Sequence, residues 1–213
     1  MASLDGLEEQ IAAATSPVAA LTSAQLRQLS DYLVLLERWN RVHNLTAVRA
    51  INAMIERHLV ESLTLAPWIT GEHCCDAGSG AGLPGLPLAV AQPQRQFQLV
   101  ERAGKKAAFL THVAQELKLG NLKVVHSDLK DFRPAQGFAT VVARALAPLP
   151  KLVSLVTHLL APQGRLVALK GPAVEQELKL LPNDFQLVSM EQLPLGGRDN
   201  RVVVITAQDR TPA

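Results

Sequence analysis

Cysteines, long apolar runs and targeting features are scarce in this sequence, and each scarcity argues against a class of protein. The two cysteines, Cys74 and Cys75, are adjacent. Neighbouring residues of a strand point to opposite faces, so the two are not expected to form a disulfide with each other. No further ligands stand at the spacing of a zinc site. No apolar run reaches the roughly 18 residues that cross a bilayer, and the first residues lack the layout of a signal peptide. We therefore expect a cytoplasmic protein with no metal and no membrane partner.

An excess of charge of one sign is also missing. Lysine and arginine number 21 against 19 aspartates and glutamates, which gives a formal net charge of +2. This balance alone does not require a nucleic-acid partner, because the distribution of charge matters more than its sum. Hydrophobic residues make up 48% of the chain and charged residues 19%, as is typical of a globular protein with a sizeable core. The length suits one domain with a short appendage, and we expect a monomer.

The first 70 residues carry helical patterns only. Thr22 and Gln25 have the spacing of a capping box, which begins a helix. Apolar residues then recur at helical spacing, namely Leu26, Leu29, Leu33, Leu36 and Trp39. A second helical run covers residues 51–66 and ends at Pro67. These patterns predict a helical N-terminal extension over residues 1–70.

Short apolar segments alternate with helical patterns in the rest of the chain. The alternation predicts parallel strands at residues 72–76, 96–100, 122–126, 140–143 and 165–169, with helices at 105–119 and 149–160 among the connections. Two last strands, 185–190 and 202–206, predict an antiparallel hairpin whose loop contains Pro194, Gly196 and Gly197. We expect an α/β fold at residues 71–213: a doubly wound, Rossmann-like, mostly parallel sheet with a C-terminal antiparallel hairpin. It should form one compact unit with the N-terminal extension.

A glycine-rich turn directly follows the first predicted strand, with the sequence Asp-Ala-Gly-Ser-Gly-Ala-Gly over residues 76–82. A helix is predicted to begin near Leu83 and Pro84, since proline suits the first turn of a helix. Glycines are needed where a turn is tight and a ligand lies against the backbone. The order of strand, turn and helix places the turn at the point where open α/β sheets bind ligands.

Two classes of ligand compete for this turn. Gly80, Gly82 and Gly85 match a dinucleotide fingerprint, and Glu101, about 20 residues on, could bind a ribose; this alternative is an NAD-dependent oxidoreductase. The spacing of Gly78, Gly80 and Gly82 after Asp76 suits S-adenosylmethionine instead. That ligand has an ammonium and a sulfonium group and no phosphate, so an acid at position 76 is favourable. We therefore favour S-adenosylmethionine.

Acidic residues at the ends of the next strands are candidates for the rest of this ligand. Glu101 ends the second strand and could accept hydrogen bonds from two ribose hydroxyls, unless it pairs with Arg102 or Lys105. Asp128 follows the third strand and could accept a hydrogen bond from the adenine amine, with Leu129 packed on the ring.

The end of the fourth strand, at Arg144, bears on the acceptor atom. Enzymes that methylate exocyclic amines typically carry Asn/Asp-Pro-Pro-aromatic there, and methylation of pyrimidine C5 needs a nearby cysteine; this chain has neither. The two absences favour an acceptor with a free lone pair, such as a ring nitrogen. Arg144 could contact the cofactor or a phosphate, or form an ordinary surface ion pair.

Several motifs resemble the glucose-inhibited division protein B family of bacterial 16S ribosomal RNA guanine-N7 methyltransferases. They cover residues 32–206 and comprise Trp39-Asn40-x-x-x-Asn44-Leu45-Thr46, Arg57-His58-Leu59-x-x-Ser62, Asp76-x-Gly78-x-Gly80-x-Gly82-Leu83-Pro84-Gly85-x-Pro87-Leu88, Lys105-x-x-x-Phe109-Leu110, Arg144-Ala145 and Leu169-Lys170-Gly171. The resemblance implies a class I methyltransferase fold, S-adenosyl-L-methionine as cofactor, and 16S ribosomal RNA or the small ribosomal subunit as partner.

Site residues follow from the resemblance position by position. It implies that Gly78, Leu83, Leu129, Lys130 and Arg144 bind the cofactor. The family usually has an acid where this chain has Lys130, which suggests a backbone contact there or a shift of the polar role to Asp128 or Asp131. It commonly has an arginine where Asn200 stands, with Arg198 and Arg201 as possible substitutes. We predict that Arg144 and Lys170 are catalytic.

Basic residues on either side of the predicted cleft are candidates for RNA contacts: Arg38, Arg41, His43, Arg49, Arg57, His58, Arg102, Lys105, Lys106, Arg144 and Lys170. Each could also be an ordinary solvated charge, and His58 could be a buried core histidine. Guanine N7 carries a lone pair and no proton, so the reaction would need no general base. A non-catalytic RNA-binding assembly factor remains a third possibility.

Overall fold

The computed structural model describes residues 6–193 and 199–208, and the chain in them begins with two helices. Helix α1 covers Leu7–Thr15 and helix α2 covers Ser23–His43. The predicted capping box is present, since the Gln25 amide donates to Thr22 Oγ1 and the Thr22 amide donates to Gln25 Oε1 at 2.8 Å. Helix α2 is capped at its C-terminus by Asn44, which adopts a left-handed φ of 50°.

The second helical run is interrupted, which corrects the expectation of one continuous helix over residues 51–66. Helix α3 (Ile51–Met54) passes into a π-helical turn (Ile55–Val60) and then into helix α4 (Glu61–Leu63). A short 3-10 turn follows at Ala66–Trp68. The Arg57 carbonyl in the π-helical turn accepts a hydrogen bond from Arg144, a partner that the periodicity of the run cannot reveal. π-helical turns are frequent at functional sites.

A seven-stranded sheet forms the centre of the molecule. Its strands are β1 (His73–Ala77), β2 (Gln96–Glu101), β3 (Leu122–His126), β4 (Phe138–Arg144), β5 (Leu160–Lys170), β6 (Phe185–Gln192) and β7 (Arg201–Ala207). The spatial order is β3-β2-β1-β4-β5-β7-β6. The first five strands pair in parallel, and β7 pairs antiparallel with both β5 and β6. The predicted fold class is thus confirmed, while the hairpin loop with Pro194, Gly196 and Gly197 lies outside the described residues.

Helices cover both faces of the sheet and bury two core clusters. The connecting helices are α5 (Gly85–Ala91), α6 (Gly104–Glu116), α7 (Leu149–Val156) and α8 (Val174–Leu178). One cluster joins the N-terminal helices to α5 and α6, with Leu33, Leu59 and Phe109 among its members, and the other packs α7 on the opposite face. Cys74 belongs to the first cluster and Cys75 to the second, and both thiols are free. The N-terminal helices therefore share their core with the sheet.

The carboxyl ends of β1, β2, β3 and β4 meet at one edge of the sheet, because these strands are parallel. In doubly wound sheets the chain connections diverge at this edge and leave a crevice. Within the described ranges, no helix is both long and apolar enough to cross a membrane.

Candidate active site

The glycine-rich turn joins β1 to α5 and folds back onto the end of β2. Gly78, Gly80 and Gly82 all have positive φ angles, of 71°, 58° and 97°. The amides of Gly78 and Ser79 both donate to the Val100 carbonyl, at 3.0 and 3.1 Å. Residues with a Cβ rarely adopt these φ angles, so the backbone conformation itself requires glycine at the three positions.

The three glycines face different surroundings. A Cβ on Gly78 would lie 2.7 Å from Leu146 Cδ1, whereas the nearest atom to a Cβ on Gly80 is 3.9 Å away. A Cβ on Gly82 would lie 2.9 Å from Leu110 Cδ2, on helix α6. Gly78 and Gly80 therefore line a cleft, while Gly82 allows close packing against a helix.

Asp76 lies beneath the turn and is fully buried. Its Oδ2 accepts a hydrogen bond from the Gly85 amide at the start of α5, at 2.9 Å. A Cβ on Gly85 would lie 2.6 Å from the same oxygen, which explains that glycine. Burial raises the pKa of Asp76 to about 7, against the opposing effects of this hydrogen bond and of the Arg144 guanidinium. Asp76 Oδ1 has no hydrogen-bond partner among the residues the structure describes.

The cleft has a volume of about 390 Å³, within the usual range of small-molecule sites. One side, which we call the loop wall, is formed by Gly78, Gly80, Glu101, Asp128, Leu129 and Lys130. The other side, the β4 wall, is formed by Arg144, Ala145, Leu146, Ala147, Lys151 and Leu155. Asp76, Gly82, Leu83 and Lys170 are not among the described residues that line it. Leu83 is buried and donates its amide to the Ser79 carbonyl, so it supports the turn from behind.

Glu101 is the central acceptor of the loop wall. Its Oε2 accepts from the Gly80 amide at 2.8 Å and its Oε1 from the Ala103 amide at 2.7 Å. It is only 6% exposed, and it is held by backbone amides instead of the pairing with Arg102 or Lys105 that was the alternative. Each carboxylate oxygen has two lone pairs, so both oxygens can still accept a hydroxyl.

Asp128, Leu129 and Lys130 form the far end of the loop wall. Asp128 Oδ1 accepts from the Lys130 amide at 3.0 Å, and Asp128 Oδ2 lies 3.9 Å from Arg102 Nη1. The Leu129 carbonyl lies 3.1 Å from Nε2 of His158, and the Leu129 side chain is buried against the cleft. The Lys130 side chain is exposed. This segment therefore presents an apolar surface beside a carboxylate.

Arg144 connects the β4 wall to the N-terminal helices. Its Nη1 donates to the Arg57 carbonyl at 2.6 Å and lies 3.3 Å from Glu61 Oε2, and its Nη2 lies 3.4 Å from His58 Nδ1. Burial lowers the pKa of Arg144, and Glu61 opposes that shift. The pairing is buried and not an ordinary surface ion pair. Asn200, the position at which the resemblance led us to expect an arginine, donates to Glu61 Oε1 at 3.3 Å. Arg198 lies outside the described residues.

His58 is a buried histidine in contact with Arg144. Burial lowers its pKa to about 4, and the positive charges of Arg144 and Arg57 act in the same direction. Its Nε2 lies 3.1 Å from Thr46 Oγ1. The ring is thus neutral at physiological pH and acts as an internal contact.

Lys170 lies behind the β4 wall. Its Nζ is 2.7 Å from Glu177 Oε2 and donates to the Ala147 carbonyl at 2.9 Å. Sequence reasoning missed three residues of this region: Glu61, Glu177 and Lys151. Only Lys151 could have been found from the sequence, because it is a basic residue in the first turn of α7, the helix that follows the fourth strand.

Comparison with known proteins extends these observations. The model of the family described as rRNA small subunit methyltransferase G (GidB) matches residues 25–201. The curated Ribosomal RNA small subunit methyltransferase G of Shigella flexneri is 42% identical over 190 residues, which is 88% of this chain and 92% of that protein.

Solved structures show the same fold at low sequence identity. The glycopeptide N-methyltransferase MtfA complexed with S-adenosyl-L-methionine superposes with a TM-score of 0.60 and 13% identity, over 69% of this chain and 92% of that chain. Fibrillarin of Aeropyrum pernix with natively bound S-adenosyl-L-methionine gives a TM-score of 0.54 and 16% identity, over 66% and 68%. The likeness confirms the expected class I methyltransferase fold.

Proposed function

The chain belongs to the rRNA small subunit methyltransferase G family, and we propose that it methylates N7 of a guanine in 16S ribosomal RNA. As a member of this family it is an S-adenosyl-L-methionine-dependent methyltransferase. The oxidoreductase alternative has no support from the fold neighbours or the relatives. We further propose that residues 1–70 are a helical extension of a methyltransferase domain at 71–213, and that the protein acts as a cytoplasmic monomer.

The cleft fits the cofactor in three respects. The face of Gly80 is open, so a ligand can lie directly against the backbone. Glu101 retains lone pairs on both oxygens for two ribose hydroxyls. Leu129 offers an apolar surface to an adenine ring, next to Asp128 as an acceptor for the exocyclic amine. The Gly80–Glu101 contact carries the proposal, because it joins a tight turn to a carboxylate at one edge of the cleft.

Asp76 acts from below the turn and is not among the described residues that line the cleft. Its buried Oδ1 has no hydrogen-bond partner within the described part of the chain and lies two residues before Gly78. We propose that Asp76 shapes the turn through Gly85 and supports a cationic ligand at short range. Gly82 and Leu83 also support the turn: Gly82 allows close packing against α6, and the Leu83 amide donates to the Ser79 carbonyl.

The β4 wall suits a substrate atom that carries no proton, because the transfer of a methyl group to such an atom needs no general base. Bound S-adenosyl-L-methionine supplies an electrophilic methyl group, and guanine N7 offers a lone pair without a proton. His58 is neutral but buried in contact with Thr46 and Arg144, so it is not placed as a base. The protein then acts by aligning the two reactants, an effect that can supply roughly 7–11 kcal/mol of the barrier.

Basic side chains in two different settings bear on RNA binding. Arg41, Arg49, His58, Arg144 and Lys170 are each engaged by other groups of the protein. Besides the engaged Arg144, four basic side chains among the described residues line the cleft itself: Arg102, Lys106, Lys130 and Lys151. Positive charge at the mouth of a cleft attracts a phosphate backbone, so we propose that these four contact RNA.

Methyl transfer to small ribosomal subunits tests the proposed function. Purified protein is incubated with labelled S-adenosyl-L-methionine and subunits from a strain lacking the gene, and the nucleosides of the digested RNA are then separated. We expect label in 7-methylguanosine. Label in another nucleoside would overturn the acceptor assignment, and a protein that binds the subunit without transferring label would be an assembly factor. Calorimetry with S-adenosylhomocysteine and NADH provides the cofactor control.

A further inference from the structure

A partly buried ion pair holds the β4 wall from behind, and its members are not among the described residues that line the cleft. Glu177 Oε2 accepts from Lys170 Nζ and from the Leu149 amide, both at 2.7 Å. Lys170 Nζ also donates to the Ala147 carbonyl at 2.9 Å. Side-chain exposures are 11% for Lys170 and 19% for Glu177. We infer that Lys170 and Glu177 act as a positioning pair that sets the β4 wall for methyl transfer.

The segment that they hold has few backbone amides that could donate a hydrogen bond. Pro148 precedes helix α7 and gives no side-chain cap, and Pro150 has no N–H. Leu149 therefore carries the single amide between Ala147 and Lys151, and Glu177 is its acceptor. A carboxylate at a helix N-terminus is also favoured by the helix dipole. Glu177 thus serves α7 as a cap supplied from another helix.

The ion pair is connected to the cleft by the backbone of residues 145–151. Lys170 is hydrogen-bonded to Ala147, and Glu177 is hydrogen-bonded to Leu149. The cleft is lined by residues on either side of these two, Leu146 and Lys151. Leu146 lies directly against Gly78 of the loop wall, at the place where a Cβ would be 2.7 Å from it. Movement of the 145–151 segment therefore changes the separation of the two walls.

This inference replaces the predicted catalytic role of Lys170 with a positioning role, and it rests on the proposed function for what the cleft binds. Lys170 donates its hydrogen bonds to Ala147 and Glu177, behind the wall. Charge-assisted hydrogen bonds of this kind are roughly twice as strong as neutral ones. The pair is thus able to hold the segment without touching substrate.

Helix α8 provides a matched control. Glu175 lies two residues before Glu177 and pairs with Arg201 at 2.6 Å. Its side chain is 64% exposed, and the pair joins α8 to β7 instead of the β4 wall. Glu175→Ala removes a carboxylate and an ion pair from the same helix and leaves the segment at 145–151 in place.

The experiment compares Glu177→Ala, Glu177→Gln, Lys170→Met and Glu175→Ala in the full chain. Amide exchange of Leu149 is followed by NMR, and we expect Glu177→Ala to speed it about tenfold, because a charge-assisted hydrogen bond is lost. S-adenosylhomocysteine affinity is measured by calorimetry, and kcat and KM are measured on small subunits. We expect kcat to fall about tenfold in Glu177→Ala and Lys170→Met, with partial recovery in Glu177→Gln, which keeps an acceptor for Leu149.

The results separate the possible failures. If Glu177→Ala lowers the thermal midpoint no more than Glu175→Ala but reduces kcat, positioning is supported. If the Leu149 amide exchanges faster in Glu177→Ala but kcat and KM stay at their wild-type values, the pair has a structural role only and the inference is wrong. If the unchanged protein itself transfers no methyl group to RNA, the proposed function fails; Leu149 exchange and S-adenosylhomocysteine affinity then still test the pair.

Discussion

The two walls of the cleft are held in different ways. In the loop wall, the Gly80 amide is bonded to Glu101, 21 residues away on the neighbouring strand end. In the β4 wall, Arg144 reaches Arg57 and Glu61, 87 and 83 residues away in the N-terminal helices. The loop wall is therefore built by its own motif and the adjoining strand, whereas the β4 wall depends on distant parts of the fold. Substitutions on each side show how far this difference extends to function.

The largest effect is expected in the loop wall, from Gly78→Val. The φ of 71° disfavours any Cβ, and the new side chain would overlap Leu146 of the β4 wall. Strain of roughly 1–3 kcal/mol and this overlap should shift the turn out of its ligand-binding conformation. We expect S-adenosylhomocysteine affinity to fall by roughly 100-fold or more, which is about 2.8 kcal/mol. Calorimetry measures the affinity.

Gly120→Ala is the matched control for that substitution. A Cβ on Gly120 meets no atom of the described structure within 4 Å. Its affinity should equal that of the unchanged protein. If Gly78→Val binds the ligand within a few-fold of Gly120→Ala, the loop wall does not contact the cofactor as proposed.

In the β4 wall, Arg144→Ala should reduce methyl transfer and stability together. The substitution removes the guanidinium that pairs with Glu61 and donates to the Arg57 carbonyl, and breaking a buried pair costs roughly 3–5 kcal/mol. Misplacement of a wall by about 1 Å can lower the rate about 100-fold. The measurements are kcat/KM on small subunits and thermal unfolding.

Arg41→Ala removes an exposed pair with Glu37 within one helix and is the control. Pairs of this kind contribute about 0.3–0.5 kcal/mol, so little change is expected. If kcat/KM is unchanged in Arg144→Ala, the proposal that Arg144 holds the β4 wall for methyl transfer is wrong.

The same contrast explains what could be predicted from the sequence. The glycine turn, the capping box at Thr22 and the strand that ends at Glu101 depend on local patterns, and the structure contains all three. The π-helical turn and the acceptor Glu61 are in contact with Arg144, which is 83 residues from Glu61. Glu177 accepts from Leu149, 28 residues away, so no local pattern indicates either acceptor. The glycine spacing itself did not tell a cleft residue from one that packs against a helix.

The pH dependence of stability should have opposite signs on the two sides of the cleft. Asp76, under the loop wall, has its pKa raised from 3.8 to about 7 by burial. Between about pH 4 and 7 the folded state therefore holds a proton that the unfolded state has lost, and the free energy of unfolding falls as pH rises. His58, behind the β4 wall, has its pKa lowered from 6.5 to about 4 by burial. Between about pH 4 and 6.5 it is the unfolded state that holds the extra proton, and the free energy of unfolding rises with pH.

The two slopes, each at most about 1.4 kcal/mol per pH unit, largely cancel in the unchanged protein. Asp76→Asn should therefore reveal a free energy of unfolding that increases from pH 4.5 to 6.5, measured by urea unfolding across that window. His58→Gln should give a decrease over the same window. Parallel pH profiles for the two variants would contradict the assignment of one buried acid and one buried neutral histidine.

The smallest expected effect concerns the RNA surface at the edge of the β4 wall. Lys151 lines the cleft from the first turn of α7, and Lys123 is an exposed lysine near the opposite, amino end of β3. A lysine that contacts phosphate adds about one counterion release, so Lys151→Ala should reduce the salt dependence of subunit binding by about 1 in log–log slope. Lys123→Ala should leave that slope unchanged. S-adenosylhomocysteine affinity should stay the same in both variants, because Lys151 is proposed to contact RNA and not the cofactor. Equal slopes for the two lysine variants would show that Lys151 of the β4 wall does not contact RNA. The remaining proposed RNA contacts would then be Lys106, Lys130 and Arg102, on the opposite side of the cleft.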